Sequence, residues 1–197
     1  MTEKGVAYDG FPSSEELSRS RRVPPRERMA RGPLAVIECV QEIPCNPCES
    51  ACPRGAITVG RPITNLPRLD DDRCTGCGQC LAACPGLAIF VIDLSRAGDG
   101  GAAGREPTGE ALVSFPYERL PSPSVDQMVM ATDRAGQGIA AGRVVKVRRA
   151  KAFDQTAIVT LAVPARLAGE IRGLDPSSIR PSEAVIRPGS PREVRPT

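Results

Sequence analysis

The stretch Cys74-Thr75-Gly76-Cys77-Gly78-Gln79-Cys80-Leu81-Ala82-Ala83-Cys84-Pro85 decides how the chain is read, because it has an earlier echo. Cys45-Asn46-Pro47-Cys48-Glu49-Ser50-Ala51-Cys52-Pro53 ends on the same spacing, and Cys39 stands before it. In both halves the last three cysteines are separated by two and then three residues, and proline follows. They differ at the start: two residues lie between Cys74 and Cys77, five between Cys39 and Cys45. Each Cys-Pro pair leads into a short β-rich run, Ala56-Ile57-Thr58-Val59 and Ala88-Ile89-Phe90-Val91. This internal repeat predicts, in each half, a short strand, a cysteine loop, a short helix, a Cys-Pro turn and a strand.

The chain has eight cysteines and no histidine among its 197 residues. The commonest general base and the commonest nitrogen ligand are therefore missing, and a Rieske centre, which needs two histidines, is excluded. Any metal must be held by sulfur or oxygen. No apolar run is long enough to cross a bilayer. Arg21-Arg22 is followed by Pro24, Pro25, Arg26, Glu27 and Arg28 instead of the apolar stretch of an export signal. A cytoplasmic location is expected. In a reducing compartment, cysteines gathered in one segment read as a metal site and not as a disulfide framework.

The spacing selects the metal group. An iron–sulfur cube offers four iron corners, each taking one thiolate. The run Cys74-x2-Cys77-x2-Cys80-x3-Cys84-Pro85 matches that of bacterial ferredoxins, whose fourth cysteine ligates the other cluster. Three cysteines in a tight loop reach three corners of one cube. The fourth, a helical turn later, faces the opposite way, and the proline stops the helix. On this logic Cys39, Cys45, Cys48 and Cys84 hold one 4Fe-4S cluster, and Cys74, Cys77, Cys80 and Cys52 hold the second. Backbone N–H groups near Thr75-Gly76 and Gly78 are placed to donate to cluster sulfur. Cys39 is the least regular of the eight. Without it the first cluster would have an open iron corner or be 3Fe-4S; Pro44 returns the chain, so ligation is expected. Zinc between Cys45/Cys48 and Cys74/Cys77 is the alternative, and it leaves four cysteines and both prolines unexplained. No Cys-x3-Cys-x2-Cys triplet of the radical-SAM kind occurs.

Around this segment the composition is lean. Aromatic residues make up 3% and tryptophan is absent, so the core must be built from Val, Ile, Leu and Ala. With 19 glycines and 20 prolines, much of the chain is expected in loops and tails. The predicted fold is α+β. A bacterial two-4Fe-4S ferredoxin-like domain (33–93) follows an Arg-rich N-terminal arm (1–32). A Gly-rich linker (94–110) then leads to a small all-β domain (111–174) and a Pro- and Arg-rich C-terminal tail (175–197). The arm reads as an unstructured tail, or as a segment that orders against an acidic partner. Strands are expected over Ala111–Tyr117, Val125–Thr132, Ile139–Arg149 and Ala157–Val163, and a short helix over Pro164–Gly173 with Leu167 and Ile171 on one face.

Residues 33–93 thus resemble the bacterial two-cluster ferredoxin fold. The wider chain resembles the iron–sulfur subunit of multi-subunit, flavin-dependent dehydrogenases of amino and imino acids, of the D-proline or hydroxyproline dehydrogenase type. The stretches Glu38–Pro53 and Gly142–Val147 through Val159–Pro164 carry that likeness. It implies an FAD-containing dehydrogenase subunit as partner in a hetero-oligomer, with FMN or 2Fe-2S subunits beside it. This chain would accept electrons from the flavin partner and relay them onward. A free ferredoxin-type carrier and a zinc-binding structural domain are the competing readings. Nucleic acid is not an expected partner: the net charge is only +3 and no stacking aromatics accompany the basic residues.

Other features have plainer readings. Gly98-Asp99-Gly100-Gly101 with Gly104 lacks the context of a phosphate loop and reads as linker. Arg148-Arg149 with Lys146 and Lys151 reads as a solvated strand end or, less often, a docking patch. Asp70-Asp71-Asp72 reads as a solvated strand end. Met128 and Met130, two apart on one strand face, read as core. No residue is assigned a catalytic role.

Overall fold

A computed structural model of the chain describes residues 4–20, 24–98, 108–150, 153 and 156–180. In chain order the elements begin with helices α1 (Val6–Asp9), α2 (Ser14–Ser20) and α3 (Arg26–Ala30). Strand β1 (Leu34–Ile37), helix α4 (Pro47–Ser50), strands β2 (Ile57–Thr58) and β3 (Arg68–Leu69), helix α5 (Gln79–Ala83) and strand β4 (Ile89–Asp93) form the cysteine-bearing part. Strands β5 (Ala97–Gly98), β6 (Thr108–Tyr117), β7 (Met128–Thr132), β8 (Gly138–Arg148), β9 (Ala157–Pro164) and β10 (Gly173–Leu174) follow.

The repeat folds as a nested pair. β1 pairs antiparallel with β4, and β2 with β3, so the first strand of one half meets the last strand of the other. β4 also pairs with β6 on its free edge. The sheet therefore runs without a break from the cysteine-bearing segment into the one after it, in the order β1-β4-β6-β9-β8-β7-β10, with β5 paired to β6. The molecule is sheet-rich, with short helices.

Strand alternation gives this sheet two different faces. Leu34, Val36, Phe90, Ile92, Val113, Phe115, Val159 and Leu161 point into one apolar core. Ala35, Ile37, Ile89, Val91 and Ile158 point to the other side, where they pack with Cys48, Cys80 and Leu81. β1 and β9 are buried on both faces, which fits the apolar run Leu34–Ile37 and the stretch Ala157–Val163, apolar but for Thr160.

Several expectations differ from what is seen. Of the segment 1–32, the described residues form three short helices. Ser13 and Glu16 make a reciprocal capping box at the start of α2: Glu16 N donates to Ser13 Oγ at 3.2 Å, and Ser13 N to Glu16 Oε2 at 2.8 Å. Met29 on α3 is buried in the main core, and its carbonyl accepts from Leu94 N at 3.0 Å. Arg21 and Arg22 lie outside the described residues. So do Gly100, Gly101 and Gly104 of the linker; its ends pair as strands, Ala97 opposite Gly109 and Gly98 opposite Thr108. The helix expected over Pro164–Gly173 is a single 3-10 turn, Ala165–Leu167. Ala165, Ala168 and Ile171, spaced by three, enter the core, and Leu167 stays only partly buried. Met128 and Met130 do share a face, but it is the exposed one; Val129 and Ala131 take the core positions. Of the C-terminal tail, Asp175 caps a 3-10 turn (Pro176–Ser178) and Ile179 is buried; 181–197 lie outside the described residues.

Candidate metal centre

The two halves of the repeat converge in their local geometry as well as in sequence. Ala56 N donates to Cys52 Sγ at 3.2 Å, and Ala88 N to Cys84 Sγ at 3.4 Å, both four residues on. Gly55 N donates to the Cys52 carbonyl and Leu87 N to the Cys84 carbonyl, each at 3.1 Å. The third residue after each of these cysteines is left-handed: Gly55 at φ 55° and Leu87 at φ 50°. Each Cys-Pro turn thus wraps its backbone around the sulfur. Burial would raise the Cys52 thiol, but the N–H groups of Ala56, Arg54, Ile57 and Gly55 outweigh it and hold it below its ordinary value.

The thiols of the two halves lie close enough to act on one another. Burial first, then the charges of Cys84, Cys45 and Cys39, push the Cys48 thiol up to about 11. Burial first, then Cys74, Cys77, Cys52 and Cys48, push Cys80 up to about 12. The charges acting on Cys48 thus include that of Cys84 from the other half of the repeat, and those acting on Cys80 include those of Cys52 and Cys48. Cys52, Cys74, Cys77 and Cys80 also line one hollow, walled by Ala35, Ile57 and Val91 of the sheet. Among the described residues no three Cys, Asp or Glu close on a point as they would for one metal ion.

The donor set fits such a group. Eight thiols without disulfides, Cys48 and Cys80 buried, Cys77 exposed and the other five half-buried, with N–H groups on two of the sulfurs, suit iron–sulfur cubes. Bare, the buried thiols would stay protonated at neutral pH; iron supplies the positive charge that lets several thiolates stand together.

The loop bearing Cys74, Cys77 and Cys80 is shaped by its glycines. Gly76 has φ 62°, and a Cβ there would lie 2.6 Å from Pro33 Cβ and 2.7 Å from the Pro33 carbonyl oxygen. Gly78 has φ 83°, and a Cβ there would collide with Arg148 Nη2.

Some residues at the site carry no sequence signal that points to it. Glu38, beside Cys39, is buried and held by two arginines that lie 96 and 134 residues further along the chain. Arg172 Nη2 donates to its Oε1 at 2.5 Å, and Arg134 Nη2 at 2.6 Å. Burial works to raise the Glu38 carboxyl; the hydrogen bonds and charges of Arg172 and Arg134 more than reverse this. Arg28 and Arg148, expected in a tail and on a solvated strand end, instead reach backbone carbonyls of the second cysteine loop. Lys151 lies outside the described residues. Asp72 pairs with Arg31 at 3.6 Å on the surface, as a solvated strand end should.

Residues 38–88 match the 4Fe-4S dicluster domain family. One subunit of the ion-translocating oxidoreductase complex of Methanosarcina acetivorans is 47% identical over 47 residues, 24% of this chain and 17% of that protein. One subunit of the Na(+)-translocating ferredoxin:NAD(+) oxidoreductase complex of Acetobacterium woodii is 45% identical over 45 residues, 23% and 13% of the two. An uncharacterized ferredoxin of Methanocaldococcus jannaschii is 42% identical over 85 residues, 43% of this chain and 49% of its own length. The chain thus spans less than a fifth of the first two relatives and about half of the third. No solved structure matches it.

Proposed function

From the 4Fe-4S dicluster ferredoxin-type domain that residues 38–88 form, and the electron transfer such domains serve, we propose that this chain is the electron-transfer subunit of a multi-subunit oxidoreductase. Cys39, Cys45, Cys48 and Cys84 hold one 4Fe-4S cluster; Cys74, Cys77, Cys80 and Cys52 hold the other. When bound, these clusters supply two one-electron centres. The protein's part is to hold each cube by four thiolates, donate N–H groups to sulfur, and keep water off one side with the β1–β4 sheet. The observation that best supports the reading is the hollow that Cys52, from the first half of the repeat, lines together with Cys74, Cys77 and Cys80 of the second.

The electrons come from an FAD-containing partner subunit acting on an amino or imino acid, with FMN or 2Fe-2S subunits in the same assembly, in the cytoplasm. Two matched relatives are named as subunits of oxidoreductase complexes, which supports membership of a complex. The flavin partner and the substrate class rest on the resemblance of Glu38–Pro53 and Gly142–Pro164. In this reading 33–93 is the cluster-bearing unit, and 111–174, joined through 94–110, serves to seat it in the assembly. The match to a ferredoxin over 85 residues favours a second reading, a free carrier. Among the described residues no helix is long and apolar enough to cross a membrane.

Anaerobic purification from the native host tests both levels. About eight iron atoms per chain are expected, with matching acid-labile sulfide. Bound zinc without iron would overturn the metal assignment. A stoichiometric flavoprotein that stays with the chain supports the complex, and a lone brown protein selects the free carrier.

A further inference from the structure

Arg148 closes the strand β8 and turns its side chain onto the second cysteine loop. Its Nη2 donates to the Cys77 carbonyl at 3.0 Å. Its guanidinium lies over the Phe153 ring, 5.4 Å from the centroid, and Phe153 packs in the same buried cluster as Cys48 and Cys80. Gly78 leaves the space that the guanidinium fills. The arginine reaches this position through a bulge. Across β8 and β9, Val144 pairs with Leu161 but Lys146 pairs with Thr160, so Val145 is an extra residue. Beyond it the alternation is reversed: Val147, opposite Val159, faces the main core, and Arg148, opposite Ile158, faces the cysteines.

Other charges near this loop are differently placed. Arg28 spans the carbonyls of Asp71 and Cys74, at 2.8 Å each, in the shadow of the acidic run Asp70–Asp72, and its charge pulls on Asp71. Among the described residues no carboxylate forms an ion pair with Arg148. Its hydrogen bond to the Cys77 carbonyl brings that charge directly onto the loop. A fixed cation beside a cluster favours the reduced, more negative state.

We propose that Arg148 is a positioning residue that raises the reduction potential of the centre held by Cys74, Cys77, Cys80 and Cys52, and of that centre alone. The proposal rests on the ligand sets given above. It gives the β-strand segment a part in the redox chemistry of the repeat.

The test is a potentiometric titration of the full, anaerobically iron-loaded chain followed by electron paramagnetic resonance. In Arg148→Gln the midpoint of one centre is expected to fall by about tenfold in its one-electron equilibrium, about 59 mV. The other centre should not move, Arg148→Lys should stay near the wild-type value, and the shifted signal should be the one damaged in Cys77→Ser. Unchanged midpoints, or an equal fall of both, would overturn the proposal. If Arg148→Gln does not load iron, Phe153→Leu, which removes the ring under the guanidinium, decides: a fall in the same centre supports the role and no change refutes it. A wild-type chain without two reducible centres would instead refute the ligand assignment.

Discussion

Glu38 shows how one residue ties distant parts of the chain together. Its side chain is 4% exposed, and the side chains of its partners Arg172 and Arg134 are 6% and 17% exposed. Arg172 also stacks over Phe90, 4.7 Å from the ring centroid. Removing one member of a buried ion pair strands the other charge, at a cost of about 3–5 kcal/mol. Glu38→Gln is expected to lose stability of that order in chemical denaturation. Glu170, which also pairs with Arg134 but is 59% exposed, should cost only about 0–1 kcal/mol when changed to Gln. Equal losses for the two would show that the network is not buried in solution. Leu87 is the second such residue. It occupies the left-handed conformation that Gly55 supplies in the other half of the repeat, which for a residue with a Cβ costs about 1–2 kcal/mol. Leu87→Gly should therefore keep both clusters and leave stability unchanged or slightly higher, measured by thermal unfolding under anaerobic conditions.

At the scale of elements, the proposed ligand sets have the two Cys-Pro turns exchange their cysteines. Cys84→Ser is expected to damage the centre of Cys39, Cys45 and Cys48, and Cys52→Ser the centre of Cys74, Cys77 and Cys80. Paramagnetic resonance of each variant, compared with Cys45→Ser and Cys74→Ser, reads this directly; each turn variant matching its own half would refute the exchange. The β8 bulge is the other decisive element. Simple alternation of Val145 and Val147 with Lys146 and Arg148 puts both valines inward. In the structure Val144 and Val147 are the inward pair, because Val145 is the extra residue. Deleting Val145 would remove the bulge and leave Lys146, Val147 and Arg148 opposite Thr160, Val159 and Ile158, on the faces they now occupy. The deletion and Val145→Ala should therefore both give soluble, iron-loaded protein, whereas Val144→Lys, which buries an unpaired charge at a cost of several kcal/mol at a fully buried position, should abolish it.

Over the whole molecule, the cysteine-bearing repeat does not have a sheet of its own in which both edges are finished. β4 pairs with β6 through Val91–Ser114, Ile92–Val113 and Asp93–Leu112. Leu34, Val36, Phe90 and Ile92 are covered by side chains from β6, β7, β8 and β9. A chain ending at Asp93 would expose that apolar face and the β4 edge, and an open apolar edge is an aggregation site. Such a truncation is expected to be insoluble or to load much less iron than the full chain, by anaerobic iron analysis. Full loading in a soluble 1–93 fragment would show that the later strands serve something other than support.

What the sequence alone determined was everything local. The Cys-x2-Cys-x3-Cys-Pro spacing, the repeat and the strands Ala111–Tyr117 and Ala157–Val163 follow from residues within a turn or a strand of each other, where sterics and period act directly. The short helices of 1–32 are equally local, and the Ser13–Glu16 capping box is a legible signal of one that an unstructured reading of the arm passes over. Only the tertiary structure decided that β4 joins β6, that the sheet has a cysteine face and a core face, that Arg134 and Arg172 close on Glu38, and that Arg28 and Arg148 end beside the cysteine loops. Those partners are separated by 43 to 134 residues. A charged side chain in sequence looks the same whether it meets water or a carbonyl across the fold; what distinguishes them is which face the strand presents, and a single bulge reverses that.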